Sequence, residues 1–280
     1  MIDYQPRINY NDNVTGNKAP KAPATEVKMQ YTIGDQLLYK GYKGIYCTIV
    51  NDKPTETKTI DFRFVDCTDI DGNHYAVVHI GSQTWMSENL KTTKYRNNDA
   101  INTTSPAEKY ITGESEPKYQ WTYSSDENIA AKYCRLNTWY VVTDNRNIAP
   151  TCLHMSSNKE RTTLQNYLIA NGYNYDATKT DNKIAKSLAS TTDWSPSTNI
   201  GAIGNDLTKN NSSGFTALPV GCRYTDGEFS NIGGYGTDWC ASMDVEEYYA
   251  WYRDLFYTNY SIVRGSDLKC NGYSISCEKD

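Results

Sequence analysis

The segment around residues 250–264 constrains the fold most, because its side chains alternate in character along an extended run. The two alternating rows are Trp251, Arg253, Leu255 and Tyr257, and Tyr252, Asp254, Phe256 and Thr258. Successive side chains of a strand point to opposite faces, so each row occupies one face. The first row is typical of framework positions, so we expect Trp251 and Leu255 to be buried. The second row is typical either of a contact surface or of the solvated face of an amphipathic strand. In both cases we expect Tyr252, Asp254 and Phe256 to be exposed.

Composition limits the class of protein. The 280 residues suffice for one large domain or two small ones, and 38% hydrophobic content with a mean hydropathy of -0.70 predicts a modest core with many loops. Tyrosine stands out with 24 copies against 5 phenylalanines. Tyrosine suits recognition surfaces, although β-rich folds also favour it in strands. The net charge of -5 without a basic run argues against nucleic-acid binding.

The sequence predicts neither a membrane-spanning segment nor a secretory signal. No apolar run approaches the roughly 20 residues of a membrane helix, so no membrane span is predicted. Residues 1–4 lack a basic segment followed by an apolar one, so the sequence predicts no secretory signal in this chain.

Three regions differ in pattern. Residues 1–28 are polar with alternating Pro, Ala and Lys, which predicts an arm or linker that either attaches the chain to an assembly or is a frayed terminus. Residues 29–66 contain short alternating β segments, and form either a separate small β element or the first strands of the main domain. Residues 67–280 then make up the main domain.

Local signals predict a hairpin and two helices within the main domain. Residues 75–86 form two apolar runs around Gly81, which is typical of a β-hairpin. Ser157 and Glu160 form a capping box, Leu164 and Leu168 follow on one face, and Gly172 ends the helix. A second helix is predicted over about residues 181–190, with Ile184, Ala185 and Leu188 facing inward.

The sequence contains few residue patterns that are typical of catalytic or metal-binding sites. The three histidines are scattered, no nucleophile motif or phosphate-binding glycine loop occurs, and the eight cysteines include no C-x-x-C pair. Residues 69–73 lack the later ligands of a calcium loop and predict a turn. We therefore expect no enzyme activity, no cofactor and no metal. The cysteines are expected to be mostly free or buried thiols with one or two bridges possible, and Cys222, Cys240 and Cys270 to be exposed.

Ordered sequence phrases carry a family resemblance over residues 61–280. They are Asp-Gly-Asn-His-Tyr at 71–75, Ile-Gly-Ser-Gln-Thr-Trp-Met-Ser-Glu-Asn-Leu at 80–90, Gly-Phe-Thr-Ala-Leu-Pro at 214–219, Asp-Gly at 226–227, Asn-Ile-Gly at 231–233, Ala-Trp at 250–251 and Gly-Tyr-Ser-Ile-Ser-Cys at 272–277. The chain resembles the Fibrobacter succinogenes major paralogous domain family of Bacteroidetes surface proteins. The resemblance implies an α+β, C-type lectin-like (formylglycine-generating-enzyme-like) domain with short twisted strands, two helices and long loops.

The resemblance also implies a variable region over residues 214–280. Some relatives resemble variable proteins of diversity-generating retroelements, in which adenine-directed mutagenesis diversifies Asn codons between fixed framework positions. Here Ala250, Trp251, Arg253, Leu255 and Tyr257 match the framework, and the residues between them belong to the set that such mutagenesis reaches. The implied ligand-binding residues, expected to form one exposed patch, are Cys222, Tyr224, Thr225, Tyr235, Thr237, Asp238, Tyr252, Asp254, Phe256, Thr258, Asn259 and Asp267.

The implied function is binding of a ligand or receptor, as an adhesin tip or a phage tail receptor-binding protein. The expected partner is a surface protein or glycan of another cell, and the N-terminal arm would join a pilus or virion on an extracellular-facing surface. The alternative is a structural surface or pilus component without a dedicated ligand. An oxidase of the formylglycine-generating type is disfavoured, because the spacing of Cys270 and Cys277 does not match the reactive pair of those enzymes.

Overall fold

The computed structural model describes residues 31–244 and 246–279, so the predicted arm at 1–28 lies outside the described residues. The strands are β1 (Leu37–Lys43), β2 (Tyr46–Asp52), β3 (Val77–Ile80), β4 (Gln83–Met86), β5 (Gln120–Trp121), β6 (Leu136–Asn137), β7 (Leu153–Met155), β8 (Cys222–Arg223), β9 (Phe229–Ser230), β10 (Tyr235–Met243), β11 (Tyr249–Phe256), β12 (Val263–Leu268) and β13 (Cys277–Lys279). The helices are α1 (Glu127–Tyr133), α2 (Trp139–Val142), α3 (Asn158–Ala170) and α4 (Ala185–Leu188). Mixed sheets with few helices are the architecture of a small α+β or mostly-β domain.

A six-stranded sheet with the order β1-β2-β3-β4-β13-β7 joins the two ends of the described chain. The predicted hairpin is confirmed, because β3 and β4 are antiparallel around Gly81, which has a positive φ of 63°. The strands of the 29–66 region join this sheet, since β2 pairs with β3 in parallel. The last strand, β13, lies between β4 and β7.

A separate three-stranded sheet is formed by the C-terminal segment. β11 is its central strand and pairs antiparallel with β10 and with β12. The register places Thr237 opposite Asp254, and Asp254 in turn opposite Val263. The ladder between β10 and β11 shifts between Trp239 and Met243, where an irregularity separates the paired parts of the two strands.

Helix α3 packs between these two sheets. Its predicted capping box is confirmed: Ser157 Oγ accepts a hydrogen bond from the Glu160 amide at 3.2 Å, and Glu160 Oε2 accepts one from the Ser157 amide at 2.7 Å. Leu164 and Leu168 are buried in a cluster with Trp85 of β4. One side of the six-stranded sheet is thereby covered by α3, while Val77 and Met86 contribute to a second core on the other side.

Two helix predictions need correction. The second predicted helix is a single turn, Ala185–Leu188, instead of residues 181–190, although Ile184, Ala185 and Leu188 are buried as expected. The preceding Asp181 has a positive φ of 61°, a left-handed conformation that does not continue a helix. Two short helices, α1 and α2, were not predicted, because their sequences show no sustained helical periodicity. No helix within residues 31–244 and 246–279 has the length and apolarity needed to cross a membrane.

The buried Arg161 side chain connects α3 to both sheets. Its Nε donates to Ser156 Oγ at 2.7 Å, and its Nη2 lies 3.4 Å from Asp238 Oδ2 of β10 and 3.3 Å from the Ser276 carbonyl beside β13. The guanidinium also lies over the Trp85 ring at 4.9 Å from its centroid. The ion pair with Asp238 and the hydrogen bonds compensate the cost of burying the Arg161 guanidinium.

We predict that Arg161→Met lowers the free energy of unfolding by about 3–5 kcal/mol in urea titrations, since it leaves the Asp238 carboxylate buried without its cation. The double variant Arg161→Met/Asp238→Asn should recover part of this loss. Lys109→Met, which breaks an exposed pair with Glu114, serves as the control and should change stability little. Equal losses in the single and double variants would show that the charge pair is not the cause.

Candidate ligand-binding surface

Six of the twelve predicted binding residues lie on one face of the three-stranded sheet. This surface, called here the tail face, consists of Tyr235, Thr237, Tyr252, Asp254, Phe256 and Asp267. Tyr235 is paired with Phe256 and Thr237 with Asp254, and Asp267 is paired with Ala250, two positions before Tyr252. Directly opposed residues and residues two apart share a face, so the register brings the six side chains to the same side.

Thr237 and Asp254 form the buried floor of the tail face. Thr237 Oγ1 donates to Asp254 Oδ1 at 2.9 Å, and Thr237 and Asp254 are only 3% and 5% exposed. Burial raises the pKa of Asp254 to about 7, while the hydrogen bond from Thr237 acts in the opposite direction. The floor therefore gains a negative charge as the pH rises through neutrality.

Half-buried aromatic side chains stand around this floor. The rings of Tyr235 and Phe256 meet edge to face with centroids 4.5 Å apart. Tyr252 packs against Tyr273 at 5.7 Å between centroids, and the Tyr273 hydroxyl donates to Asp267 Oδ2 at 2.6 Å. The aromatic rings thus offer flat apolar surface next to carboxylates, an arrangement suited to recognition of a partly polar partner.

Three further predicted residues come from β8 and from the turn between β8 and β9. The Cys222 thiol is buried, which raises its pKa to about 11, and it lies within hydrogen-bonding reach of Tyr224. The pKa of Tyr224 is raised by burial, by this contact and by the negative charge of Asp267. Thr225 Oγ1 accepts a hydrogen bond from Thr112 Oγ1 at 2.8 Å. The electrostatic contact with Asp267 places Tyr224 beside the tail face.

The remaining three predicted residues are not on the tail face. Asp238 is opposite Arg253 on the other face of the sheet and pairs with Arg161. Thr258 and Asn259 follow β11, where their carbonyls accept hydrogen bonds from Asn199 Nδ2 and from the Ile203 amide. The predicted single patch is therefore only partly assembled.

The predicted exposure of several site residues is wrong. Cys222, Thr237, Asp238 and Asp254 are buried, and so is Cys240. Trp251, which was expected to be buried, is only half-buried, and the Arg264 guanidinium lies 3.7 Å from the centre of its ring. Tyr252, Phe256 and Cys270, which were expected to be exposed, are also half-buried. Leu255 is buried as expected. The reason is that both faces of β11 are covered. The face with Leu255 packs towards α3, and the tail face joins the other core through Ala250 and Tyr252.

A cleft that sequence reasoning missed begins next to the tail face. Its volume is about 1100 Å³. It is lined by Thr225, which is itself a predicted site residue, and by Leu268, which follows the predicted residue Asp267. Its aromatic and charged lining includes Glu114, Glu116, Trp139, Tyr140, Asp144, Tyr248 and Lys269. The Lys269 ammonium lies 4.6 Å from the centre of the Trp139 ring. Only the cluster of aromatic residues at 139–140 could have indicated this cleft in the sequence.

The fold and this surface define a small α+β or mostly-β domain with mixed sheets and an aromatic, acidic C-terminal face. The family model of the Fibrobacter succinogenes major domain matches residues 78–278, and the chain therefore belongs to this family. The matched region includes α3, the three-stranded sheet and the first two residues of β13. No curated protein and no solved structure matches the chain.

We predict that Asp254→Asn flattens the pH dependence of stability. The unfolded carboxyl ionises near its ordinary pKa of 3.8, whereas the folded one keeps its proton up to about 7. The folded state binds more protons between these values, so stability should fall as the pH rises from about 4 to about 7, by on the order of 4 kcal/mol. The variant should be the more stable protein at pH 8, as measured by urea unfolding across pH.

The matched control is Asp181→Asn, which makes the same change at an exposed carboxylate. It should leave the pH profile of the native protein unchanged. A profile for Asp254→Asn that coincides with the native one would contradict the raised pKa of Asp254.

Proposed function

We propose that this chain is a C-type lectin-like binding domain that holds a ligand or receptor on its tail face. The observation that carries the proposal is the convergence of Tyr235, Tyr252 and Phe256 with Asp254 and Asp267 on one face. Rigid aromatic side chains with adjacent polar groups are characteristic of recognition surfaces. The partner class is a surface protein or glycan of another cell, and the chain acts as a displayed adhesin tip or phage tail component facing the exterior.

The proposal includes diversification of this surface. Tyr252, Asp254 and Phe256 alternate with the framework residues Arg253 and Leu255, which are buried against α3. Arg253 Nη2 donates to Asn158 Oδ1 at 2.9 Å, so the framework row is fixed by contacts to another element. Substitution of half-buried tail-face aromatics by small polar residues would change the surface while this attachment remains.

The buried floor limits this diversity. Thr237 and Asp254 are hydrogen bonded to each other beneath the aromatics, so changes at these two positions affect packing as well as recognition. We therefore assign direct contact with the partner to Tyr235, Tyr252 and Phe256, and support of the surface to Thr237 and Asp254. No catalytic role is assigned to the tail face.

The alternative is a structural component of a surface fibre or pilus without a dedicated ligand. The tail face favours the binding function over this alternative, because aromatic rings that are only half covered retain apolar area available to a partner.

The test is a triple variant, Tyr235→Ser/Tyr252→Ser/Phe256→Ser, together with the single variants. Binding to arrays of bacterial surface glycans and to whole cells should fall at least tenfold for the central single variants, consistent with about 2 kcal/mol per central aromatic residue. Tyr42→Ser, at an exposed tyrosine of β1, is the matched control and should bind normally. Far-ultraviolet circular dichroism and thermal unfolding report whether each variant is folded.

Loss of binding in folded variants supports the tail face as the contact surface. Retained binding in the folded triple variant would contradict it, and absence of any partner across cells and glycans would favour the structural alternative.

A further inference from the structure

A group of potential metal ligands lies away from the tail face, beneath the first turn of α3. Glu278 of β13 and His154 of β7 are directly opposite each other in the six-stranded sheet. Glu160 of α3 projects towards them, with its Oε1 3.2 Å from His154 Nε2. One ligand atom from each of these three residues lies within 4.8 Å of the other two.

Two buried oxygen atoms at this place have no hydrogen-bond partner. Glu278 is 6% exposed and Gln83 is 8% exposed, yet Glu278 Oε2 and Gln83 Oε1 are both unpaired. Gln83 lies two positions before Trp85, which is opposite Glu278, so its side chain shares the face of the sheet with Glu278. The Gln83 Nε2 group donates to the Glu160 carbonyl at 3.2 Å, which places the amide beside the cluster.

Leaving such oxygens unpaired is costly. A buried acceptor without a donor loses its hydration without compensation, and a buried carboxylate loses more. A carboxylate oxygen of Glu160 and one of Glu278 lie within 4.8 Å of each other, so two negative charges repel each other at this place. A cation between the two carboxylates would remove this repulsion and supply the missing partner.

We propose that His154, Glu160 and Glu278 bind a divalent transition-metal ion, best matched by Zn²⁺, with Gln83 Oε1 available as a fourth ligand. Zn²⁺ accepts imidazole nitrogen and carboxylate oxygen in a four-coordinate site, whereas Ca²⁺ and Mg²⁺ prefer oxygen ligands alone. Ser157 holds the second oxygen of Glu160 through its amide at 2.7 Å, so the carboxylate is already oriented.

The site would tie together three elements that are distant in sequence. His154 is on β7, Glu160 on α3, and Glu278 on the last described strand, β13. A metal ion bound only by protein ligands would act structurally and fix the C-terminal strand to the start of α3. The sequence carried no spacing signal for this, since Glu278 lies far along the chain from the other two residues.

The experiment uses the full chain after removal of metal by a chelator. Zn²⁺, Mn²⁺ and Ca²⁺ are added separately, and calorimetry and thermal unfolding are followed. Zn²⁺ should bind with one high-affinity site per chain and raise the melting temperature by about 5 °C or more at saturating concentration. X-ray absorption at the zinc edge should show only nitrogen and oxygen ligands at about 2.0–2.2 Å.

Variants locate the site. His154→Gln and Glu278→Gln should each weaken Zn²⁺ binding at least tenfold and remove the thermal shift. The same changes outside the cluster, His74→Gln and Glu228→Gln, should leave binding unchanged. Glu278→Gln should also raise the melting temperature of the metal-free protein, because it removes a buried carboxyl group whose Oε2 has no partner. The Glu278→Gln variant is therefore expected to fold, and it tests the site even if His154→Gln does not fold.

Sulfur ligands at about 2.3 Å would assign the zinc to the eight free cysteines and overturn the proposal. Unchanged binding in Glu278→Gln, or no binding of Zn²⁺ by the native chain, would overturn it as well. Tight binding of Ca²⁺ without Zn²⁺ would likewise contradict it, because the imidazole would then have no role.

Discussion

The burial of the Arg161 guanidinium between the two sheets is the constraint on which the arrangement of this domain depends. A charge in the interior needs an opposite charge and hydrogen-bond acceptors at fixed positions. Arg161 finds them in Asp238 of β10, in Ser156 before α3 and in the carbonyl of Ser276 before β13. Because these groups belong to different elements, satisfying one side chain fixes the helix and both sheets relative to one another.

This arrangement explains the character of the tail face. Asp238 is held on the inner side of β10 by Arg161, so its neighbour Thr237 points to the opposite side and meets Asp254 of β11. Leu255 packs in the core around α3, which leaves Phe256 on the side of the tail face. One face of the sheet is therefore attached to α3, while Tyr252 and Phe256 on the tail face are only half-buried.

Local sequence signals predicted local structure well. The capping box at Ser157 and Glu160 correctly located the start of α3, because both hydrogen bonds are made within one helical turn. The β3–β4 hairpin and the sharing of one face by Tyr252, Asp254 and Phe256 also followed from the pattern. Family membership followed from ordered phrases across the main domain. The length of α4 and the exposure of Asp254 were predicted wrongly. Both depend on contacts with distant segments as well as on the neighbouring sequence.

The sequence by itself determined the strand alternation, the helix start and the family of this protein, since these depend on residue order over short distances. Only the tertiary structure decided that β11 is the middle strand of a sheet with both faces covered, which buries Asp254 and raises its pKa. Only the tertiary structure placed His154 opposite Glu278 and brought Glu160 within 3.2 Å of the imidazole. The physical reason is that burial and electrostatic contact depend on which distant segments meet, and alternation along one strand does not specify its partners.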